Sequence, residues 1–114
     1  MRLQLRFVLL RQQLGRHLRY VRQLGLAARF AGELPLGLGV VELADEARTM
    51  SRMVEVGERL REDHGADVLV LGCAGMAQYR AALAEALGFA VIDPTQAAVT
   101  MAIGAVRQNY EGED

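Results

Sequence analysis

The stretch Asp67-Val-Leu-Val-Leu-Gly-Cys-Ala-Gly-Met76 decides how this chain is read. Its unbroken apolar run, Val68 to Leu71, marks a parallel strand buried on both faces rather than a half-exposed one, which would alternate. Downstream, Met76, Tyr79, Leu83 and Leu87 recur at steps of three and four, one stripe of a helix that Gly88 stops. Phe89-Ala-Val-Ile92 is then a further strand. Asp93-Pro94-Thr95-Gln96 opens another helix, with Asp93 as N-cap, Pro94 at N1, and Gln96 three residues on as in a capping box. That helix, Ala97 to Val106, is apolar almost all round and expects cover on more than one side.

Upstream the pattern repeats. Leu5 to Leu10 reads as a strand, and Leu14, Leu18, Val21 and Leu24 mark a helix over Leu14 to Leu24. A second strand is expected within Leu26 to Ala31, followed by a loop punctuated by Gly32, Pro35, Gly37 and Gly39 before Val40-Val41. Leu43, Ala47, Met50, Val54 and Leu60 predict a helix from Leu43 to about Asp63, with opposite-charge neighbours such as Glu55 and Arg59. His64-Gly65 ends it, the glycine suiting the left-handed position after a helix.

Four strand-then-helix units imply an α/β fold: a single three-layer lobe around a four-stranded parallel sheet, flavodoxin-like in outline. Residues 1–110 form one expected domain and 111–114 an acidic tail. Ligands in such sheets bind beyond the carboxyl ends of the strands. Chemistry is therefore expected at Arg11 to Gly15, Gly32 to Gly39, Gly72 to Met76 and Asp93 to Gln96.

Composition narrows the classes. With 114 residues, 52% of them hydrophobic, the chain can bury a core and is not disordered. A net charge of −1 gives no general attraction to nucleic acid or anionic lipid. No apolar run approaches the roughly 18 residues that span a bilayer, and the opening lacks a secretory h-region. A single cysteine forbids an internal disulfide, and a reducing cytoplasm is the expected compartment. All 13 basic residues are Arg, which excludes Schiff-base chemistry on Lys and a phosphate-binding P-loop Lys. Seven of them, Arg2 to Arg29, precede the first acid, Glu33. Without a nucleic-acid motif beside them, they read as a solvated face or a lobe-to-lobe contact.

Cys73 stands where a buried strand ends and a helix begins, between Gly72 and Gly75, which permit a tight turn and close ligand approach. Backbone N–H groups at a helix start lower a thiol pKa and hold a carboxylate or oxyanion. On position alone, a small buried hydrophobe is an equal alternative. The wider segment, Gly65 to Met76 followed by Leu87-Gly-Phe-Ala-Val-Ile-Asp-Pro94, resembles the carboxyl-terminal half of the Asp/Glu/hydantoin racemase superfamily. It looks most like the hydantoin-racemase branch, whose turn reads Gly-Cys-Ala-Gly-Met. The resemblance is best from residue 36 to 106.

That resemblance implies one half of a two-lobed fold, with substrate between lobes that each bring one Cys. One thiolate removes the proton on the stereogenic carbon and the opposite thiol returns one to the other face. No metal, pyridoxal or nucleotide cofactor is implied. Cys73 maps onto the second-lobe acid/base, with Gly72, Ala74 and Gly75 shaping the anion-binding turn. After the first strand, relatives place small hydroxyl residues; here Leu10-Arg11-Gln12-Gln13 stands instead, leaving Gln12 or Arg11 to donate hydrogen bonds. The first-lobe Cys has no counterpart, as in a truncated or divergent half.

Asp93 is most economically the helix N-cap, though it stands on the ligand side; Thr95, with Gln96, is a second candidate there. His64 reads as a helix-end cation, Asp67 as a partner of local backbone, and Met50, Met53, Met76 and Met101 as core filler. The leading functional expectation is a cofactor-independent racemase-family isomerase acting on a small amino acid or hydantoin-like substrate. The alternatives are a one-Cys decarboxylase or isomerase of the same superfamily, and a non-enzymatic α/β interaction module. Homo-oligomerisation or a missing first lobe is expected to cover the last helix.

Overall fold

The computed structural model describes residues 7–11, 17–39, 41–72 and 74–108. Four strands, β1 (Phe7–Arg11), β2 (Phe30–Pro35), β3 (Val68–Leu71) and β4 (Ala90–Ile92), form one sheet in the order β2-β1-β3-β4. Every neighbouring pair is parallel, and Leu69 sits in register with Val8 on one side and Val91 on the other. Between and after them lie α1 (His17–Gln23), α2 (Glu46–His64), α3 (Arg80–Leu87) and α4 (Pro94–Arg107). From β1 the chain steps outward to β2, then crosses back to β3 and on to β4. Right-handed crossovers therefore set α1 on one face of the sheet and α2 with α3 on the other.

The core lies on the α2/α3 face. Leu69 and Leu71 of β3 and Val91 of β4 meet Met53, Val56 and Leu60 of α2 and Leu83 and Leu87 of α3, all buried. Gly57 lets α2 and α3 approach closely: a Cβ there would stand 2.7 Å from Leu87 Cδ1. Both helices stop at glycines in the left-handed region, Gly65 (φ +65) and Gly88 (φ +71), where a side chain is strained. Asp45 caps α2 by accepting from the Arg48 N–H at 3.1 Å. Arg61 of α2 donates to the Leu87 carbonyl at the end of α3 and lies 5.7 Å from the Phe89 ring centroid, so one guanidinium fastens the α3–β4 turn to α2.

Several boundaries depart from the sequence reading. The second strand is Phe30–Pro35 rather than Leu26 to Ala31, which forms a short 3-10 turn at Ala27–Arg29. Gly32 and Pro35 suggest a loop only if the strand is central; β2 is an edge, where proline is tolerated. Helix α2 begins after Asp45 because that side chain caps it, and Glu42–Ala44 before it is a 3-10 turn. Met76 and Tyr79 stand on a 3-10 segment, Ala74–Tyr79, ahead of α3, yet they are buried in line with Leu83 and Leu87. Glu55 pairs at 3.1 Å with Arg52, one turn before it, rather than with Arg59, one turn after.

The expectation that β3 is buried on both faces is met on one. Leu69 and Leu71 are fully buried, whereas Val68 and Val70 are half-buried, and Ala90 and Ile92 on the same side of β4 are exposed. The α2/α3 layer is complete; opposite it, the seven-residue α1 is short, and α4 buries no residue at all. Among the described residues no helix is long and apolar enough to cross a membrane.

Candidate functional site

The strand order locates a site before any side chain is considered. The chain leaves β1 toward one edge of the sheet and β3 toward the other, so the order reverses between these two neighbours. Diverging connections leave a crevice outside the carboxyl ends at such a switch point. Among the described residues, the strand ends at Arg11 and Leu71 mark its place.

After β3 the chain turns at Gly72, which is exposed, and enters the 3-10 segment at Ala74. Gly75 is exposed as well. The turn singled out in the sequence thus begins at the switch point, and its glycines face solvent rather than core. Cys73 and Gln12 lie outside the described residues.

After β4, Asp93 is 1% exposed and its Oδ2 accepts from the Gln96 N–H at 2.8 Å, so it is the N-cap of α4. Its other oxygen, Oδ1, is buried with no hydrogen-bond partner among the described residues. Thr95 is exposed on the first turn of α4. Gln96 is only half of the expected capping box. Its backbone N–H serves Asp93, but its side chain turns away: Oε1 accepts from Arg80 Nε at 2.7 Å and Nε2 donates to the Ala77 carbonyl at 3.3 Å. A hydrogen bond to a charged guanidinium outcompetes one to a neutral backbone amide.

A depression of about 480 Å³ opens here, lined by Arg80, Val91, Ile92, Asp93, Gln96, Ala97, Thr100 and Met101. Arg80 and Thr100 carry no pattern in the sequence that marks them. Only the fold brings α3's first residue against α4's first turn. Thr95, by contrast, does not line the depression. His64 packs elsewhere, with its ring against Gly32 of β2, in keeping with a structural role. Among the described residues no group of three or more His, Cys, Asp or Glu is placed to hold a metal ion.

An α/β lobe with a parallel 2-1-3-4 sheet and a glycine-flanked turn at its switch point is the class defined so far. Residues 9–102 match the family model described as Asp/Glu/Hydantoin racemase, and the chain belongs to that family. It is 35% identical over 92 residues to a hydantoin racemase of Paenarthrobacter aurescens, covering 80% of this chain and 39% of that protein. It is 36% identical over 84 residues to an uncharacterized protein of Schizosaccharomyces pombe, covering 70% and 35%. Among solved structures, it superposes with a TM-score of 0.79 on the allantoin racemase of Pseudomonas fluorescens and 0.78 on that of Klebsiella pneumoniae. Each is 30% identical, with 90% of this chain matched. The chain spans 46% and 44% of those two structures.

Proposed function

We propose that this chain is one lobe, residues 1–110 with 111–114 as an acidic tail, of a cofactor-independent racemase. Its substrate class is a small molecule carrying a C–H beside a carbonyl, an amino acid derivative or hydantoin-like ring. The observation that carries the reading is the strand order, which sets the turn beginning at Gly72 on the switch point of a lobe that superposes on allantoin racemases. 5-Substituted hydantoins and allantoin share one ring, in which the stereogenic carbon is acidified by the adjacent carbonyl.

In this mechanism the Cys73 thiolate takes the proton from that carbon. The C–H electron pair moves into the carbonyl, leaving an enolate whose oxygen is held by N–H donors of the turn at Gly72, Ala74 and Gly75. A proton delivered to the opposite face gives the inverted centre; delivered from Cys73 it restores the original one. Gln12 and Thr95 serve as further hydrogen-bonding partners of the substrate. Asp93 acts at the same edge as the cap that fixes the start of α4. The second acid or base comes from outside this lobe, either from a first lobe or from a second copy that also covers α4. The chain's single cysteine favours a second reading, a one-thiol decarboxylase or isomerase, in which one face suffices. A cytoplasmic site of action accords with a thiol that must stay reduced.

The test is solvent-deuterium exchange and optical rotation, with hydantoins and free amino acids as substrates. Exchange without inversion, abolished in Cys73→Ala, is expected of the chain by itself. Full racemization by a monodisperse monomer overturns the need for an outside group. Exchange that survives in Cys73→Ala overturns the role of the thiol. Release of carbon dioxide from a disubstituted malonate points to the one-thiol reading. In the same preparation, Cys73 is expected to react with iodoacetamide at neutral pH faster than an unperturbed thiol. A requirement for denaturant would mark it as a core residue.

A further inference from the structure

We propose that Gln96 is a positioning residue for the thiol turn, acting by holding the 3-10 segment that carries the turn's backbone N–H groups. The inference rests on the reading of Cys73 as acid or base. It starts from the number of elements that meet at this one side chain. The backbone N–H of Gln96 donates to Asp93 Oδ2 at 2.8 Å and its carbonyl accepts from Thr100 Oγ1 at 2.9 Å, which fixes its backbone in α4. The amide then reaches across to donate to the Ala77 carbonyl at 3.3 Å while accepting from Arg80 Nε at 2.7 Å. Ala77 is the middle of the segment Ala74–Tyr79, and Arg80 is the residue that follows it.

A 3-10 segment is a poor holder of its own shape, because its hydrogen bonds are less well aligned than those of an α-helix. Met76 and Tyr79 anchor this one on its buried side. Gln96 supplies the polar anchor on the other side, and the two bonds of its amide set where the segment sits relative to β4. The N–H groups of Ala74 and Gly75 begin that same segment, so a shift of the segment shifts the donors that the proposed chemistry requires. Neither contact involves an ionised group of Gln96 itself, so its effect on the thiol is one of geometry and not of charge.

The full chain carries one cysteine, so its alkylation reads Cys73 alone. Iodoacetamide rates across a pH series, together with amide hydrogen exchange, are compared for the parent chain, Gln96→Ala, Gln96→Glu and Thr100→Val. Both Gln96 variants are expected to move the thiol's titration midpoint upward, to lower the rate at neutral pH by about threefold or more, and to speed exchange over Ala74–Tyr79 while α2 amides are unchanged. Gln96→Glu keeps an acceptor for Arg80 and loses the donor to Ala77; its carboxylate alone raises the midpoint, so in this variant the tie is read from exchange over Ala74–Tyr79, even if Gln96→Ala fails to fold. Thr100→Val removes a bond to the Gln96 carbonyl only and is expected to leave the profile alone. Profiles of the Gln96 variants that superpose on the parent's overturn the proposal, wherever the parent's midpoint lies. Failure of the thiol's catalytic role is read separately, by deuterium exchange that survives in Cys73→Ala.

Discussion

Helices α2 and α4 invert the usual relation between composition and burial. α2 is rich in charge, yet it buries Thr49, Met53, Val56, Gly57 and Leu60 in one stripe. α4 is apolar nearly all round and buries nothing: Val99, Met101, Ile103 and Val106 are between 51% and 75% exposed. The difference lies in what faces each helix. α2 packs against β1, β2 and α3, whereas α4 meets the 3-10 segment Ala74–Tyr79 and little else. A periodic stripe tells the chain which side to bury against its own sheet. An apolar surface without periodicity carries no such instruction, and suits a helix that has neighbours on more than one side.

The contrast is broken or sharpened by substitution. The largest effect is expected at Leu69, fully buried between α2 and the sheet: Leu69→Ala should lower unfolding free energy by roughly 2–5 kcal/mol in a urea titration. Next, Gly57→Ala places a methyl 2.7 Å from Leu87 Cδ1 and should cost about 1–3 kcal/mol by overpacking, despite alanine's better helix propensity. A stabilised Gly57→Ala chain would mean that α2 and α3 are not tightly apposed. Asp93→Ala removes the cap of α4 and should cost about 1 kcal/mol, less than a typical core truncation because α4 contributes few tertiary contacts. The smallest change in stability is expected from Met101→Ala, about 0.5 kcal/mol or less in a dissociated chain. If α4 is covered by another lobe or copy, the same substitution should still weaken association in sedimentation, so stability and assembly separate at this one position.

How much of this could be read from the sequence varied with how local the signal was. The β3–α3–β4 run was legible because each boundary has its own chemistry: an apolar strand, a glycine stop at Gly88, and an Asp-Pro helix start. β2 was misplaced because an edge strand holding Gly32 and Pro35 differs from a loop only by what lies beside it. The turn at Gly72 was legible as a strand end, because glycines flank it and the apolar run stops there; its part in the chemistry is what the deuterium-exchange experiment tests. The Arg80–Gln96–Ala77 tie was not, because the partners are 16 and 19 residues apart and nothing in the pattern links them. Gln96 in particular looked like a capping residue, and its side chain found a charged partner that only the packed fold provides.

The strand order also has a consequence during synthesis. β1 is central in the finished sheet, but it is made first, and β3, which closes its second side, follows only after the whole of α2. A central strand therefore spends time as an open edge, the arrangement that invites pairing with other chains. Its sequence, Phe7-Val-Leu-Leu-Arg11, is the kind of short apolar run that aggregates, and it is flanked by Arg6 and Arg11 with no acid nearby to neutralise them. Like charge at both ends of such a run works as a gatekeeper, repelling a second copy while the intended neighbour is still being made.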